Sequence, residues 1–389
     1  MLQLPANLLA GNVEEFLAAV HAKRGEPLRV PAKFDLGGGL GGAVHSVQSI
    51  AQWARLAGDH REVVLPREFE THDSTRSRVA SSLPGMAALY FAAALKAGKT
   101  DLGRYDALKS MSERVAAMQN EDFRNTLRGV GVGLVCFTGA QAEFLRSFYG
   151  LPERGAVRPH SDFEVLLPRL LGVLGGGIVE KLNDGQRSIL AALVYQLFLN
   201  TDEHALSDAG GRAYRLGMRG LAVRQTTLED VTATVEYADG DSALQAYLTK
   251  NLLSQTRQNK DAGSNSALKV VELSVFDTGP GMGLRWMSRS GASSYGDFSE
   301  AQEFDAIQQC FERHATTKAM SHSGLGLTMA MMAMKRLGAF MTLRTGRLSL
   351  YQDFSVGKAE AFTPKRRFGA NRELAEIAGT AFTIWFKAS

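Results

Sequence analysis

The segment around Asp277 places one carboxylate where it could bind an exocyclic amine. The alternating residues 271–277 predict a strand that ends in Asp277, and glycines follow at positions 279 and 281. Glycine lets a backbone approach a ligand closely and takes positive φ without steric cost. A carboxylate at a strand end beside such a turn can accept a hydrogen bond from an amine. The alternative is a plain turn after an edge strand, where Asp-x-Gly is common.

A second polar set lies on a helix predicted over residues 186–204. At helical spacing, four polar side chains share one arc near its C-terminal end: Gln196, Asn200, Glu203 and His204. The same arc is apolar earlier, at Ile189 and Leu193. A face that changes from apolar to polar indicates a helix buried at one end and lining a polar pocket at the other, unless the helix simply runs out to solvent.

Two further segments could hold an anion. The glycine-rich segment 323–327 opens a helix predicted to run to about residue 337. The free N–H groups of such a helix N-terminus, with glycines beside them, bind phosphate. Upstream, a helix that starts near Ser299 ends in Thr317 and Lys318, which supply a hydroxyl and a cation. A lysine is also favoured at a helix C-terminus for electrostatic reasons alone.

Taken in order, these segments resemble the GHKL (Bergerat-fold) ATPase superfamily, which includes histidine kinases and anti-sigma kinases. Residues 196–204 resemble its N box, 277–281 its first glycine box and 324–327 its second. Residues 311–318 resemble the phenylalanine box of the kinase branch, and 379–385 the final strand. The resemblance covers roughly residues 175–389 and implies a two-layer α/β sandwich that binds ATP and Mg²⁺.

The resemblance also implies roles for single residues. Asn200 would hold Mg²⁺ against the triphosphate, and Asp277 would bind the adenine amino group with Thr380 behind it through water. Other nucleotide contacts are implied for residues of these motifs: His204, Gly279, Gly281, Met282, Thr317, Gly324, Leu325, Gly326 and Leu327. Lys318 would reach the terminal phosphate from a lid over residues 283–323. The serine-rich run at 288–294 suits a lid segment that orders on binding.

One position departs from the hydrolysing and Ser-phosphorylating branches of that family. They carry a glutamate four residues before the magnesium asparagine, where this chain has Gln196. An amide is no general base at neutral pH, and such a base contributes ~10²–10⁴-fold. Glu203 is the candidate substitute. We therefore expect a slow ATPase or a nucleotide-dependent switch that controls partner or dimer contacts. Two alternatives stay open: a soluble protein kinase acting on Ser, Thr or His, and a non-hydrolysing nucleotide-binding module.

The upstream residues predict a smaller α/β domain over 1–155. Strands at 28–34 and 61–65 alternate with helices that start at Asn12 and cover 43–57 and 85–97. This layout is distantly similar to STAS-type regulatory domains. Three glycines also satisfy the dinucleotide pattern Gly-x-Gly-x-x-Gly, namely Gly37, Gly39 and Gly42. Because the run is nearly all glycine, a tight strand–helix turn is the favoured interpretation.

The spacing of the motifs predicts an insertion in the second domain. Asn200 and Asp277 are separated by more residues than a helix, a loop and a strand require. The excess lies at about 237–266, with a helix expected around 243–253. It is either a partner-contact element or a tolerated surface loop. The best linker candidate between the two domains is 150–159, which is rich in glycine, proline and arginine.

The composition excludes several classes of protein. The 45% hydrophobic and 22% charged residues are typical of a soluble globular chain. A net charge of +4 gives no strong nucleic-acid signal. We find neither a signal-peptide pattern nor a run long enough to cross a bilayer, so we expect a cytoplasmic protein without membrane contact. Cys136 and Cys310 are expected to be free thiols.

Overall fold

The computed structural model of the chain describes residues 1–35, 39–128, 131–150, 155–260, 267–312, 326–357, 362–369 and 372–388. Its described residues form two β-sheets and the helices packed around them. The α/β class predicted from the sequence is confirmed.

The first sheet has five strands in chain order, parallel except for the last. They are β1 (Leu2–Gln3), β2 (Leu28–Arg29), β3 (Glu62–Leu65), β4 (Ala94–Ala97) and β5 (Thr100–Leu102). The helices of this region are α1 (Ala10–Ala22), α2 (Leu40–Ala57), α3 (Glu68–Thr71), α4 (Asp73–Ala80), α5 (Leu83–Phe91), α6 (Arg104–Lys109) and α7 (Ser112–Gln119). The helix predicted at 85–97 ends at Phe91, because Ala92 is extended and the next residues pair with β3 as β4.

The second sheet is antiparallel and has seven strands in the order β11-β10-β9-β12-β8-β7-β6. They are β6 (Val132–Phe137), β7 (Met218–Leu228), β8 (Leu268–Asp277), β9 (Phe340–Gly346), β10 (Leu348–Asp353), β11 (Lys365–Arg366) and β12 (Ile377–Lys387). Strand β6 lies inside the range 1–155 assigned to the first domain, yet it pairs with β7. The division between the two sheets therefore falls between β5 and β6, not near residue 155.

The remaining helices belong to the second sheet and its connections. They are α8 (Arg146–Tyr149), α9 (His160–Leu174), α10 (Ile178–Lys181), α11 (Asp184–His204), α12 (Val231–Ala238), α13 (Ser242–Lys260), α14 (Met282–Met287), α15 (Glu300–Cys310) and α16 (Gly326–Leu337). Residues 196–204 lie on α11, which begins two residues before the predicted start because Asn183 and Gln186 form a capping box there.

Helices cover both faces of the seven-stranded sheet. Side chains alternate along a strand, so Glu272 and Asp277 of β8 point to opposite faces. Glu272 meets the start of α2, whereas the turn after Asp277 meets Ala205 at the end of α11. We call these the α2 face and the α11 face. The sequence predicted helices on one face only, because nothing in it revealed that α2 belongs to this sheet.

The N-terminal half is fixed to the α2 face by buried polar contacts. Arg344 of β9 and Glu14 of α1, both buried, form an ion pair of 2.7 Å. Gln48 of α2 donates to the carbonyl oxygens of Arg344 and Ala378 at 3.3 and 3.0 Å. One continuous hydrophobic core extends from Leu2 of β1 to residues of β12. The first α/β unit therefore packs on the second rather than standing apart from it.

The predicted insertion at 237–266 is helical over its described residues. It comprises the end of α12 and all of α13, which includes the helix expected at 243–253. The two helices form a separate apolar cluster with β8, β9 and β12, centred on Tyr247, Leu248, Phe340 and Trp385. Residues 261–266 lie outside the described residues. Among the helices that are described, none is long and apolar enough to cross a membrane.

Candidate functional site

Asp277 lies at the end of β8 and is only 7% exposed. Two backbone N–H groups donate to its Oδ1 atom, from Gly279 at 2.7 Å and from Thr380 of β12 at 3.3 Å. The sequence predicted Thr380 behind Asp277 through water, whereas the structure shows a direct backbone contact. No residue in the described part of the chain donates to Oδ2. The carboxylate is therefore held in one orientation with one oxygen available.

The surroundings of Asp277 act on its pKa in opposite directions. Burial raises the pKa to about 6, while the two N–H groups and the guanidinium groups of Arg55 and Arg285 favour the charged form. The side chain is consequently ionised for the most part at pH 7. It is an oriented acceptor with little water around it, which suits recognition of an amine.

The glycines after Asp277 allow two close contacts within the protein. Gly281 has a φ of +90°, and a Cβ there would lie 2.2 Å from the Tyr295 hydroxyl. A Cβ at Gly279 would lie 2.6 Å from the Cα of Ala205, just beyond α11. The family resemblance implied that both glycines serve the approach of adenosine. The structure shows that they also allow the turn to pack against α11 and Tyr295.

Thr345 of β9 connects three parts of the site. Its hydroxyl accepts from the Met282 N–H at 2.8 Å and lies 3.1 Å from the Thr380 hydroxyl. Met282 begins α14, and Thr380 pairs with Thr345 across the sheet. The sequence analysis did not find Thr345, because a buried hydroxyl in a central strand carries no spacing signal.

The polar arc of α11 faces the start of α16. A Cβ at Gly326 would lie 2.6 Å from the Gln196 Oε1 atom, so these two residues are in contact. One turn further on, the Asn200 Nδ2 atom is buried and has no hydrogen-bond partner among the described residues. A buried amide without a partner is costly for a fold. The hydrogen-bonding capacity of Asn200 is therefore available to a ligand.

The end of α11 is held by Arg285 of α14. The guanidinium donates to the carbonyl oxygen of His204 at 2.9 and 3.2 Å and to that of Ser207 at 2.6 Å. His204, which the sequence placed among the nucleotide contacts, thus uses its carbonyl to connect α11 with α14. Glu203 is exposed at the same end. Gln196, Asn200 and His204 are half-buried, and Gln196 contacts the start of α16.

The described part of the predicted lid is held by contacts within the protein. The Asp297 carboxylate accepts from the N–H groups of Ser293 and Ser294 at 2.7 and 2.8 Å, which fixes the serine-rich run. Glu303 of α15 is buried and pairs with Arg347 at 2.9 Å. The serine-rich run therefore has defined contacts within the protein, and its ordering on binding stays a prediction. Thr317, Lys318, Gly324 and Leu325 lie outside the described residues, whereas Leu327 is half-buried in the first turn of α16.

The glycine run before α2 faces an internal carboxylate. The Gly41 N–H donates to Glu272 Oε1 at 2.5 Å, and Tyr237 donates to Oε2 at 2.7 Å. A Cβ at Gly39 would lie 2.3 Å from Oε2, and one at Gly42 would lie 1.7 Å from the Leu8 carbonyl oxygen. A dinucleotide phosphate at this helix start would meet a like charge. The described glycines therefore pack against the protein itself, whereas Gly37 lies outside the described residues.

The described side chains are compatible with a magnesium ion only if water and phosphate oxygens supply most of its ligands. No three His, Cys, Asp or Glu side chains come together as ligands in the described part of the chain. Mg²⁺ commonly takes only one or two protein oxygens and completes its shell with water and phosphate oxygens. Asn200 could supply one such oxygen through Oδ1, while its unpartnered Nδ2 atom is a donor suited to a phosphate oxygen and not to the metal. Cys136 and Cys310 are both free, as predicted.

Comparisons of the chain with known protein families, with curated proteins and with solved structures gave no match.

Proposed function

We propose that this chain binds ATP with Mg²⁺ on the α11 face and acts as a slow ATPase or nucleotide-dependent switch of the GHKL type. The observation that carries the proposal is the buried Asp277, fixed by two N–H groups with Oδ2 left available. It stands at a strand end, and the turn after it contacts Ala205 just beyond α11, the helix that carries Asn200 with its unpartnered Nδ2 donor. An amine-reading acceptor near a helix with a free donor and a neutral side-chain oxygen suits an adenine nucleotide with a triphosphate.

Each described residue has a defined task in this proposal. Asp277 accepts the adenine amino proton through Oδ2. Thr380 holds Oδ1 through its N–H group, and Thr345 connects Thr380 to Met282. The N-terminus of α16 at Gly326 adds N–H groups suited to phosphate. When bound, Mg²⁺ neutralises part of the triphosphate charge, and Asn200 would hold it.

Slow turnover follows from the side chain beside the candidate phosphate position. Gln196 contacts Gly326 and cannot accept a proton at neutral pH. Glu203, the substitute considered from the sequence, is exposed near the end of α11 and lies about two helical turns beyond Gln196, the residue that contacts Gly326. Without a base, the ATP-bound form persists and can itself control contacts with a protein partner or a second copy of the chain.

Two other functions use the same nucleotide site. A protein kinase would pass the γ-phosphate to a Ser, Thr or His side chain, whereas a binding module would leave ATP intact. The slow-switch proposal agrees best with the absence of a carboxylate at position 196. None of the three requires a membrane.

The fate of γ-labelled ATP tests the proposal. Purified protein is incubated with Mg²⁺ and labelled ATP, and the label is followed in free phosphate, in the chain and in added cell protein. We expect stoichiometric ATP binding with free phosphate appearing far more slowly than binding. Label in protein would establish the kinase alternative, and intact ATP after many hours would establish the binding module. No bound ATP at all would reject the nucleotide site.

A further inference from the structure

Arg55, near the C-terminal end of α2, reaches the turn that follows Asp277. Its Nη1 atom donates to the Gly279 carbonyl oxygen at 2.8 Å, and its Nη2 atom donates to that of Thr278. The guanidinium also lies over the Tyr214 ring, 4.3 Å from its centroid. Arg55 therefore joins α2 to the glycine turn and to the loop between α11 and β7.

Helix α2 is held near both of its ends by β8 and by the turn that follows β8. Gly41 at its start donates to Glu272, and Arg55 near its end holds the turn after Asp277. The 14 residues from Gly41 to Arg55 span about 21 Å of helix. The six residues from Glu272 to Thr278 span about 20 Å of strand. The two spans match in length, and between them α2 packs on β12 and β8.

Arg55 differs from the rest of its helix in burial. Apart from Arg55 and Leu56, every residue of α2 is buried. The helix packs against α1, α5 and the α2 face of the seven-stranded sheet. A displacement of the N-terminal half therefore moves α2 as a rigid body. The guanidinium would carry that displacement directly to the Thr278 and Gly279 carbonyl groups.

The charged and titratable groups around Asp277 come from four elements. Arg55 on α2 and Arg285 on α14 favour its ionised form, and the Tyr214 hydroxyl lies near it on the loop after α11. Its partner across the β7–β8 ladder is Arg219, whose guanidinium is bonded to the Tyr149 hydroxyl. Arg55 is the one among these cations that belongs to the N-terminal half.

We propose that Arg55 is a positioning residue through which the N-terminal half sets the nucleotide affinity of the α11 face. The proposal rests on the proposed function, because it assigns regulation to that same site. Two hydrogen bonds from one cation keep the turn in the shape that presents Asp277 and Gly279. Loosening α2, by a ligand or partner of the N-terminal half, weakens nucleotide binding without any change to the residues that touch the nucleotide.

The test compares ATP binding by full-length wild type, Arg55→Gln, Arg55→Lys and Arg61→Gln over pH 5–8. Arg61 is the matched control, because it donates to the Phe91 carbonyl at 3.0 Å within the N-terminal half and is not bonded to the glycine turn. We expect Arg55→Gln to weaken ATP binding roughly tenfold or more. Arg55→Lys should recover part of the affinity, and Arg61→Gln should bind as wild type does.

The pH profile separates positioning from general loosening. Wild-type affinity should fall as the pH drops through about 6, where Asp277 becomes protonated. Arg55→Gln removes a facing cation, so the midpoint should move to higher pH, and Arg55→Lys should return it. The nucleotide's own titration is the same for every variant, so it cancels when the pH midpoint of a variant is compared with that of the wild type. An Arg55→Gln protein with wild-type affinity and midpoint would overturn the proposal.

Hydrogen exchange in the wild type gives a test that needs no variant. Coupling between two sites is reciprocal, so bound ATP should slow amide exchange in the last turn of α2 relative to α7, which is remote from the turn. Unchanged exchange in that turn, with ATP bound, would also overturn the role of Arg55. Failure of the wild type to bind ATP would instead reject the proposed function itself.

Discussion

Glu272 and Asp277 are two buried carboxylates of one strand that face opposite sides of the sheet. Glu272 is fully satisfied within the protein, by the Gly41 N–H and the Tyr237 hydroxyl. Asp277 is satisfied only at Oδ1 among the described residues. The first carboxylate therefore organises the fold, and the second is available for recognition.

Glu272→Ala should lower the free energy of unfolding by at least about 2 kcal/mol, because it leaves two buried donors without an acceptor. Urea unfolding at pH 7 measures this. Glu272→Gln is the matched control and should cost less, since an amide oxygen still accepts. Equal stability of wild type and Glu272→Ala would contradict the role of Glu272 at the start of α2.

Asp277→Asn should stabilise the folded protein at pH 7.5. Burial raises the pKa of Asp277 from 3.8 to about 6. The folded state therefore prefers the protonated form, and the associated stability is fully present below pH 3.8 and lost as the pH rises through about 6. One pKa unit corresponds to about 1.4 kcal/mol, so the charge costs the fold up to roughly 3 kcal/mol. We expect Asp277→Asn to be about 1–3 kcal/mol more stable than wild type at pH 7.5.

Measuring the free energy of unfolding at several pH values tests whether charge burial causes the higher stability of Asp277→Asn. The difference in unfolding free energy between Asp277→Asn and wild type should shrink as the pH falls below 6. A difference that stays constant from pH 7.5 to pH 4.5 would show that charge burial is not its origin.

The parts of the site that depend on local sequence could be predicted. Asp277 stands at a strand end, and α11 ends at His204, as the alternation and the helical spacing indicated. These features are set by neighbouring residues and by caps, which a short window of sequence contains. The contact between Gln196 and Gly326 joins residues that are distant in the sequence, and no local pattern indicated it.

The parts that depend on distant packing could not be predicted. Arg55 and Gly279 are 224 residues apart, and no pattern links a helical arginine to a turn carbonyl. The buried Glu272 looked like one polar residue of an alternating strand. Its burial depends on the glycine run before α2, which comes within contact distance only in the folded chain.

Asn200→Ala should remove most of the Mg²⁺ dependence of ATP binding while leaving the fold intact. The amide Nδ2 atom has no partner among the described residues, so its truncation leaves none of them unsatisfied. Calorimetric titrations with ATP, with and without Mg²⁺, measure the effect. If the two titrations of Asn200→Ala still differ as those of the wild type do, the metal is held elsewhere.

Gln196→Glu should raise the rate of ATP hydrolysis by ~10²-fold or more with little change in affinity. A glutamate has nearly the same shape and fits against Gly326 where the amide now lies. Steady-state phosphate release measures the rate, with Glu203→Gln as the comparison on the same helix. Fast hydrolysis by the wild type that collapses in Glu203→Gln would identify Glu203 as the base and contradict the slow-switch account.

The most direct test of the account is calorimetric binding of ATP and GTP, each with Mg²⁺, to wild type and Asp277→Asn at pH 7.5. Wild type should bind ATP and prefer it to GTP, because Oδ2 of Asp277 accepts the adenine amine. Loss of a hydrogen bond to a charged group costs about 1.5–3 kcal/mol. Asp277→Asn should therefore bind ATP more weakly by about that amount and lose most of the preference. A folded Asp277→Asn protein with unchanged affinity for ATP and unchanged discrimination against GTP would contradict the central claim.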